Sequence, residues 1–234
     1  MNNQIKTGLI IIMIFLSANT FAQTNEIKSE ESTKDNVTEK TYLSFLLNMV
    51  NTNLNYGKSN SSLDENKKTV QGIQIGASFQ AGITPKLSLV TELYFIMKGG
   101  RLKEDKAVGI DNTTLRLYTI ELPVLARFDI GKVYVDGGPS IAYTLWATKK
   151  IGDISKNVSF NKSSEGYKRW DAGVQMGAGY RFKIKQKPVA LDVRYSYGLS
   201  QISYGQEMHN RYLNVGLYIT NPWRTNPLAK RRNS

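Results

Sequence analysis

The 234-residue sequence predicts an all-β protein, an eight-stranded antiparallel up-and-down transmembrane β-barrel. Three observations predict it. Eight segments alternate between apolar and polar or glycine residues, the period of two that belongs to a strand. The connections between them alternate just as regularly between very short and long, as a meander with one tight end and one loop-rich end requires. A segment with the features of an export signal precedes them all.

That signal spans residues 1–22. Lys6 supplies the positive start, Leu9 to Leu16 is an unbroken apolar run, and Thr20-Phe21-Ala22 offers small residues for cleavage before Gln23. The apolar run falls far short of the roughly 20 residues a membrane-spanning helix needs. Residues 23–40 are mostly Glu, Lys, Ser, Thr and Asn. Such a segment buries too little apolar surface to offset its ordering entropy, so it reads as a disordered linker.

The barrel domain is expected over residues 41–220, with strands near Thr41–Thr52, Val70–Ile83, Leu87–Lys98, Thr114–Ile130, Lys132–Ala147, Tyr167–Phe182, Val189–Ser200 and Arg211–Thr220. The second shows the pattern most clearly. Ile73, Ile75, Ala77, Phe79, Ala81 and Ile83 share one face, and Gly72, Gln74, Gly76, Ser78, Gln80 and Gly82 the other. Pro123 and Pro139 break the pattern; a proline forfeits a ladder hydrogen bond, and bulges are the expected accommodation. Residues 221–234 form a basic tail carrying Arg224, Lys230, Arg231 and Arg232.

Alternation alone does not separate a soluble barrel, apolar inside, from a membrane barrel, apolar outside. The polar face carries most of the strand glycines, which suits a crowded lumen and would only weaken a soluble exterior. It also carries Glu92, Glu121, Asp136, Asp171 and Asp192 with Lys98, Arg127, Arg169, Arg181 and Arg194. Five acids and five bases are what a closed lumen demands, because an unpaired buried charge is very costly. On the apolar face, Phe128, Tyr180 and Phe182 sit toward the tight-turn end and Phe95, Tyr118, Tyr143, Trp170 and Tyr197 toward the loop end. Paired aromatic girdles mark the two interfaces of a bilayer.

Leu87 to Gly100, Ile120 to Leu125, Asp136 to Tyr143, Asp171 to Tyr180 and Asp192 to Gly198 resemble, in order, the blocks of the PorT-like outer-membrane β-barrel family, a group of small porin-like barrels of Gram-negative bacteria. The resemblance implies a cell outer membrane location. One member of that family belongs to a protein-secretion machine, and many have no assigned role. Two departures stand out: the first strand lacks the family's glycines, and the basic tail follows where members often end on an aromatic residue.

The net charge of +12 raises the question of nucleic acid, but its placement argues against it. The excess lies on Lys149, Lys150, Lys156, Lys162 and Lys168 around one long loop, on Lys183, Lys185 and Lys187 at a tight turn, and on the tail. The expected partners are outer-membrane lipid and lipopolysaccharide, with other envelope or secretion proteins beside them. The absence of cysteine excludes a lipoprotein anchor, disulfides and thiolate metal centres, and no cofactor is expected. His209, the one histidine, lies near Ser203 and Glu207 in the last long loop, but spacing alone builds no triad, so no enzyme is expected.

An eight-stranded barrel has an interior that side chains just fill, and the ten charges with Tyr94, Tyr212 and Tyr218 would fill it. The sequence therefore reads as an integral outer-membrane barrel acting as a structural or interaction component of the envelope, or as an accessory to a secretion assembly. Porin-like passage of small solutes is the main alternative, and a lipid-modifying enzyme the remote one.

Overall fold

A computed structural model describes residues 41–57, 63, 65–104 and 111–222. The expected export signal and linker, and all but the first two residues of the basic tail, lie outside the described residues.

The chain forms β1 (Tyr42–Tyr56), β2 (Lys67–Lys68), β3 (Val70–Gly82), β4 (Leu87–Leu102), β5 (Thr113–Ile130), β6 (Val133–Ile151), β7 (Ile154–Asn157), β8 (Trp170–Ile184), β9 (Lys187–Gly198) and β10 (Met208–Pro222). Eight of these make one closed ring, β1-β3-β4-β5-β6-β8-β9-β10, in which every neighbouring pair is antiparallel. β10 returns to β1 over its whole length, from Tyr42↔Pro222 to Tyr56↔Met208. Closure leaves the ring without an unpaired edge. The short strands β2 and β7 pair only with the outer ends of β4 and β6.

All eight predicted strands are present, and several run further at the loop end. β1 continues to Tyr56, β4 to Leu102 and β6 to Ile151. At the end of β1 the pattern inverts, with Leu54 and Tyr56 buried inward and Asn53 and Asn55 outward, so the polar-in, apolar-out signature stops there while the backbone ladder continues. The stretch expected as one long loop after β6 is in part a hairpin, Ile151↔Ile154 to Thr148↔Asn157. Tyr167, expected in a strand, makes only an isolated bridge to Ser203.

The tight turns follow local chemistry. Between β3 and β4, the Ile83 and Thr84 amides donate to the Leu87 carbonyl, and Thr84 Oγ1 accepts from the Leu87 amide at 3.0 Å. Gly131 opens the β5–β6 turn at φ 63°. Between β8 and β9 the two turn residues Lys185 and Gln186 both take positive φ, 46° and 69°. A two-residue hairpin of this twist needs that conformation at both positions, and neither residue adopts it readily.

No bulge forms at the prolines. The register is the same on either side of Pro123, from Pro123↔Ser140 to Ala126↔Gly137 and from Thr91↔Val124 to Tyr94↔Glu121, with the ladder merely interrupted between. A proline removes one donor without adding a residue, so the spacing survives. The bulge lies instead where Tyr118↔Trp146 gives way to Thr119↔Thr144, leaving Leu145 as the extra residue of β6. It turns Trp146 outward to stack on Tyr118, ring centroids 4.7 Å apart, while Ala147 and Thr144 both point inward, buried.

Alternation decides which side chains meet lipid. Along β1, Phe45, Leu47 and Met49 are 61%, 62% and 67% exposed, while Leu46 and Val50 are each 1% exposed and Asn48 is 2%. The same holds on β3 and β10, where Ile73, Ile75, Leu213, Val215 and Leu217 face outward. A belt of this kind is stable only against hydrocarbon.

Candidate functional site

The lumen is packed in layers, built by the inward-pointing residue of every second position. Nearest the tight turns, Arg194 of β9 reaches across to Glu92 of β4, Nη1 to Oε2 2.7 Å, and also contacts Asp136 at 3.3 Å and Asp192 at 3.5 Å. Arg127 donates from Nη2 to Asp136 Oδ2 at 2.6 Å and from Nε to the same oxygen at 3.0 Å. Tyr134 donates to Asp192 at 2.7 Å and Tyr218 to Glu92 at 3.2 Å. The Tyr134 ring lies under the Arg127 guanidinium, 3.9 Å from its centroid.

This layer needs missing side chains as much as present ones. A Cβ at Gly179 would run into the Tyr134 ring, and one at Gly216 into the Asn48 amide. Asn48 and Asn214 in turn both donate to Gln74 Oε1, at 3.2 and 2.9 Å, joining β1, β3 and β10 in an amide layer.

Toward the loop end a second charged layer forms around one lysine. Lys98 Nζ is 3.0 Å from Glu121 and 3.2 Å from Asp171. Glu121 also accepts from Gln175 and Tyr212, both at 2.7 Å, and Asp171 from Asn210 and Ser200, both at 2.7 Å. Tyr94 and Tyr212 meet hydroxyl to hydroxyl at 3.1 Å.

Above this layer the lining turns apolar. Leu54, Tyr56, Leu115, Leu117, Ala147, Tyr167, Ile202 and Met208 form a buried cluster, with Leu63, Leu102, Val158 and Phe160 packed against it. Burial pushes the Tyr167 phenol above its ordinary pKa, so it stands there as a neutral wall.

Of the ten predicted lumen charges, Glu92, Lys98, Glu121, Arg127, Asp136, Asp171, Asp192 and Arg194 are buried together in these layers. Arg169 and Arg181 are half-exposed and stand at the two rims. Arg181 pairs with Asp129 at 2.7 Å at the tight-turn rim. Arg169 donates to the carbonyls of Thr144 and Leu145, at 3.0 and 2.9 Å, serving the backbone that the β6 bulge disturbs. The buried set is therefore five acids with three bases, and neutral donors from Tyr134, Tyr212, Tyr218, Gln175, Asn210 and Ser200 supply what two further cations would have.

Several of these neutral partners were readable by parity alone. Tyr134 lies two residues before Asp136, Gln175 four after Asp171, and Asn210 and Asn214 flank Tyr212.

Ser203, Glu207 and His209 do not form a catalytic arrangement. Ser203 Oγ accepts from the Gly205 and Gln206 amides at 3.3 Å in its own turn. His209 lies within β10 opposite Asn55, with the inward residues Met208 and Asn210 on either side of it. Its ring therefore projects from the other face of the sheet.

A closed antiparallel ring of eight strands, apolar outside and hydrogen-bonded within, defines an outer-membrane β-barrel. The chain belongs to the outer membrane protein beta-barrel domain family, which matches residues 14–204 and so takes in β1 to β9. The protein is accordingly a protein of the outer membrane.

Among solved structures it is similar to Ail, the attachment invasion locus protein of Yersinia pestis, in complex with the heparin analogue sucrose octasulfate, at 11% identity over 78% of this chain and 99% of that one, with a TM-score of 0.44. It is also similar to Neisserial surface protein A, at 13% identity over 76% and 96% of the two chains and a TM-score of 0.45. For OprG of Pseudomonas aeruginosa the values are 11%, 80%, 96% and 0.40. No curated protein matches the sequence.

Proposed function

We propose that the protein is a structural or interaction component of the envelope, alone or as an accessory to a secretion assembly, that its lumen stays filled and that its outer loops do its work. The observation that carries this reading is contact across the full bore. In the ring order β9 stands opposite β4, and Arg194 of β9 bonds Glu92 of β4. Lys98 of β4 likewise reaches Asp171 of β8. A solute would have to break charge-assisted bonds in two successive layers and then pass the apolar cluster.

The ordered blocks from Leu87 to Gly198 support a place among PorT-like barrels, and the run Leu9 to Leu16 supports export on a cleaved signal with the linker and barrel following. Lipid and lipopolysaccharide are the partners of the outer rim, where Arg211 lies over the Tyr197 ring at 4.1 Å. An amphipathic cation beside an aromatic ring suits a boundary of anionic head groups.

Single-channel recording in planar bilayers tests the filled lumen. The expected record is silent at all salt concentrations. Discrete steps whose size scales with salt would overturn the reading in favour of solute passage.

A further inference from the structure

A cleft of about 640 Å³ opens above the apolar cluster. One wall is a face of the β6–β7 hairpin, and the other comes from the loops that precede β8 and β10, through Ser164, Glu165, Tyr167, Ser203 and Gln206. The volume is that of a small-molecule site. Its loop wall is tied together: the Tyr204 amide donates to the Gly166 carbonyl at 3.0 Å and the Lys168 amide to Ile202 at 2.8 Å, beside the Tyr167↔Ser203 bridge. Such a cleft is largely formed before anything enters it.

The hairpin wall carries an unusual pairing. Lys149 stands directly opposite Lys156, and Ile151 opposite Ile154, on one face of the two strands. Like charges in that position destabilise a hairpin. The hairpin's own carboxylate, Asp153, lies 3.5 Å from Lys150, which points to the other face. Among the described residues neither Lys149 nor Lys156 has an ion-pair partner. Two lysines thus line the cleft from one face with no ion-pair partner, and an anion held by both would turn their repulsion into two charge-assisted hydrogen bonds.

Other lining residues narrow the ligand. Ile151, Ile154, Val158 and Tyr167 offer an apolar surface beside the lysines. Glu165, across the cleft, is also without an ion-pair partner among the described residues. Its carboxylate would repel a second anionic group. We infer that this cleft binds a small organic anion with a single anionic head, a carboxylate or phosphate, on a short apolar body.

The inference deepens the reading that the loops carry the function, because the cleft is built by the β6–β7 hairpin and the loops before β8 and β10. Equilibrium dialysis tests it with the full barrel in phosphatidylcholine nanodiscs, using phenyl phosphate as probe and phenyl glucoside, inorganic phosphate and inositol hexakisphosphate as comparisons. Phenyl phosphate should bind one saturable site, at least tenfold more tightly than the other three. The double variant K149Q/K156Q should lose at least tenfold. K183Q/K187Q, at the opposite end of the barrel, should bind as the parent does, and E165Q should gain affinity for inositol hexakisphosphate.

Heat-modifiable migration of each variant confirms that it folds. Equal binding of phenyl glucoside, or equal loss in K183Q/K187Q, would overturn the site. Inorganic phosphate binding as tightly as phenyl phosphate would overturn it too, leaving an adventitious ion only. Conductance of the same preparation separates the two readings: a conducting barrel that binds overturns the filled lumen alone, and a silent barrel that fails to bind overturns the cleft alone.

Discussion

Arg194 and Glu92 meet across the barrel at 2.7 Å with none of either side chain exposed. Removing Glu92 leaves the buried Arg194 only its longer contacts with Asp136 and Asp192, and removing Arg194 leaves Glu92 only the Tyr218 hydroxyl. Glu92→Ala should cost about 3–5 kcal/mol, read as a shift in the urea midpoint for folding into lipid vesicles. Combined with Arg194→Gln, the loss should fall below the sum of the single effects, because the double variant strands no charge on that pair. Strict additivity would show that the two residues are not coupled.

The β8–β9 turn holds strain that a substitution should release. Lys185 and Gln186 sit at φ 46° and 69°, where a side chain with a Cβ costs roughly 1–2 kcal/mol. Replacing them by Asn-Gly, the pair this turn prefers, should stabilise the barrel by about 1–2 kcal/mol. The same vesicle titration measures it, and an unchanged midpoint would count against the strain.

Gly179 gives the Tyr134 ring its place. Gly179→Val should push the ring aside, break the 2.7 Å bond from Tyr134 to Asp192 and destabilise by about 1–3 kcal/mol. Thermal unfolding followed by the unfolded band on unboiled gels reports this. A variant as stable as the parent would mean that the ring has somewhere else to go.

His209 should be dispensable for lipid chemistry. Its ring lies on the other face of β10 from the lumen, and Ser203 is bound into its own turn. Cells carrying His209→Ala should give the same lipid A mass spectrum as cells carrying the parent. A lost modification would reopen the enzymatic reading.

The sequence was most legible where lipid lies on one side and lumen on the other. Ile73 to Ile83 alternates because those two surroundings demand opposite side chains, and β3 forms there. In the β6–β7 hairpin beyond the ring that contrast is absent: Lys149, Lys150 and Lys156 gave no strand signal, yet they lie in a paired hairpin. The Leu145 bulge was hidden because Leu145 and Trp146 are both apolar, so an inserted residue leaves no mark in the pattern.

The lumen charges were legible as a set, but not where each would lie. Arg169 and Arg181 share parity with the others and differ only in height along the strand. At a rim, a long side chain reaches bulged carbonyls or a surface carboxylate instead of the central layers.

β6 parts from β8 at Tyr143↔Trp170 and runs on for eight residues to Ile151, roughly 27 Å of further strand. Had all the strands ended together, the outer rim would be a level ring, alike in every direction around the membrane normal. The overhang gives it a compass bearing. Which neighbour in the membrane stands behind the raised sheet, and which in front of it, then decides what can reach the cleft, so the barrel's rotational setting matters as well as its insertion.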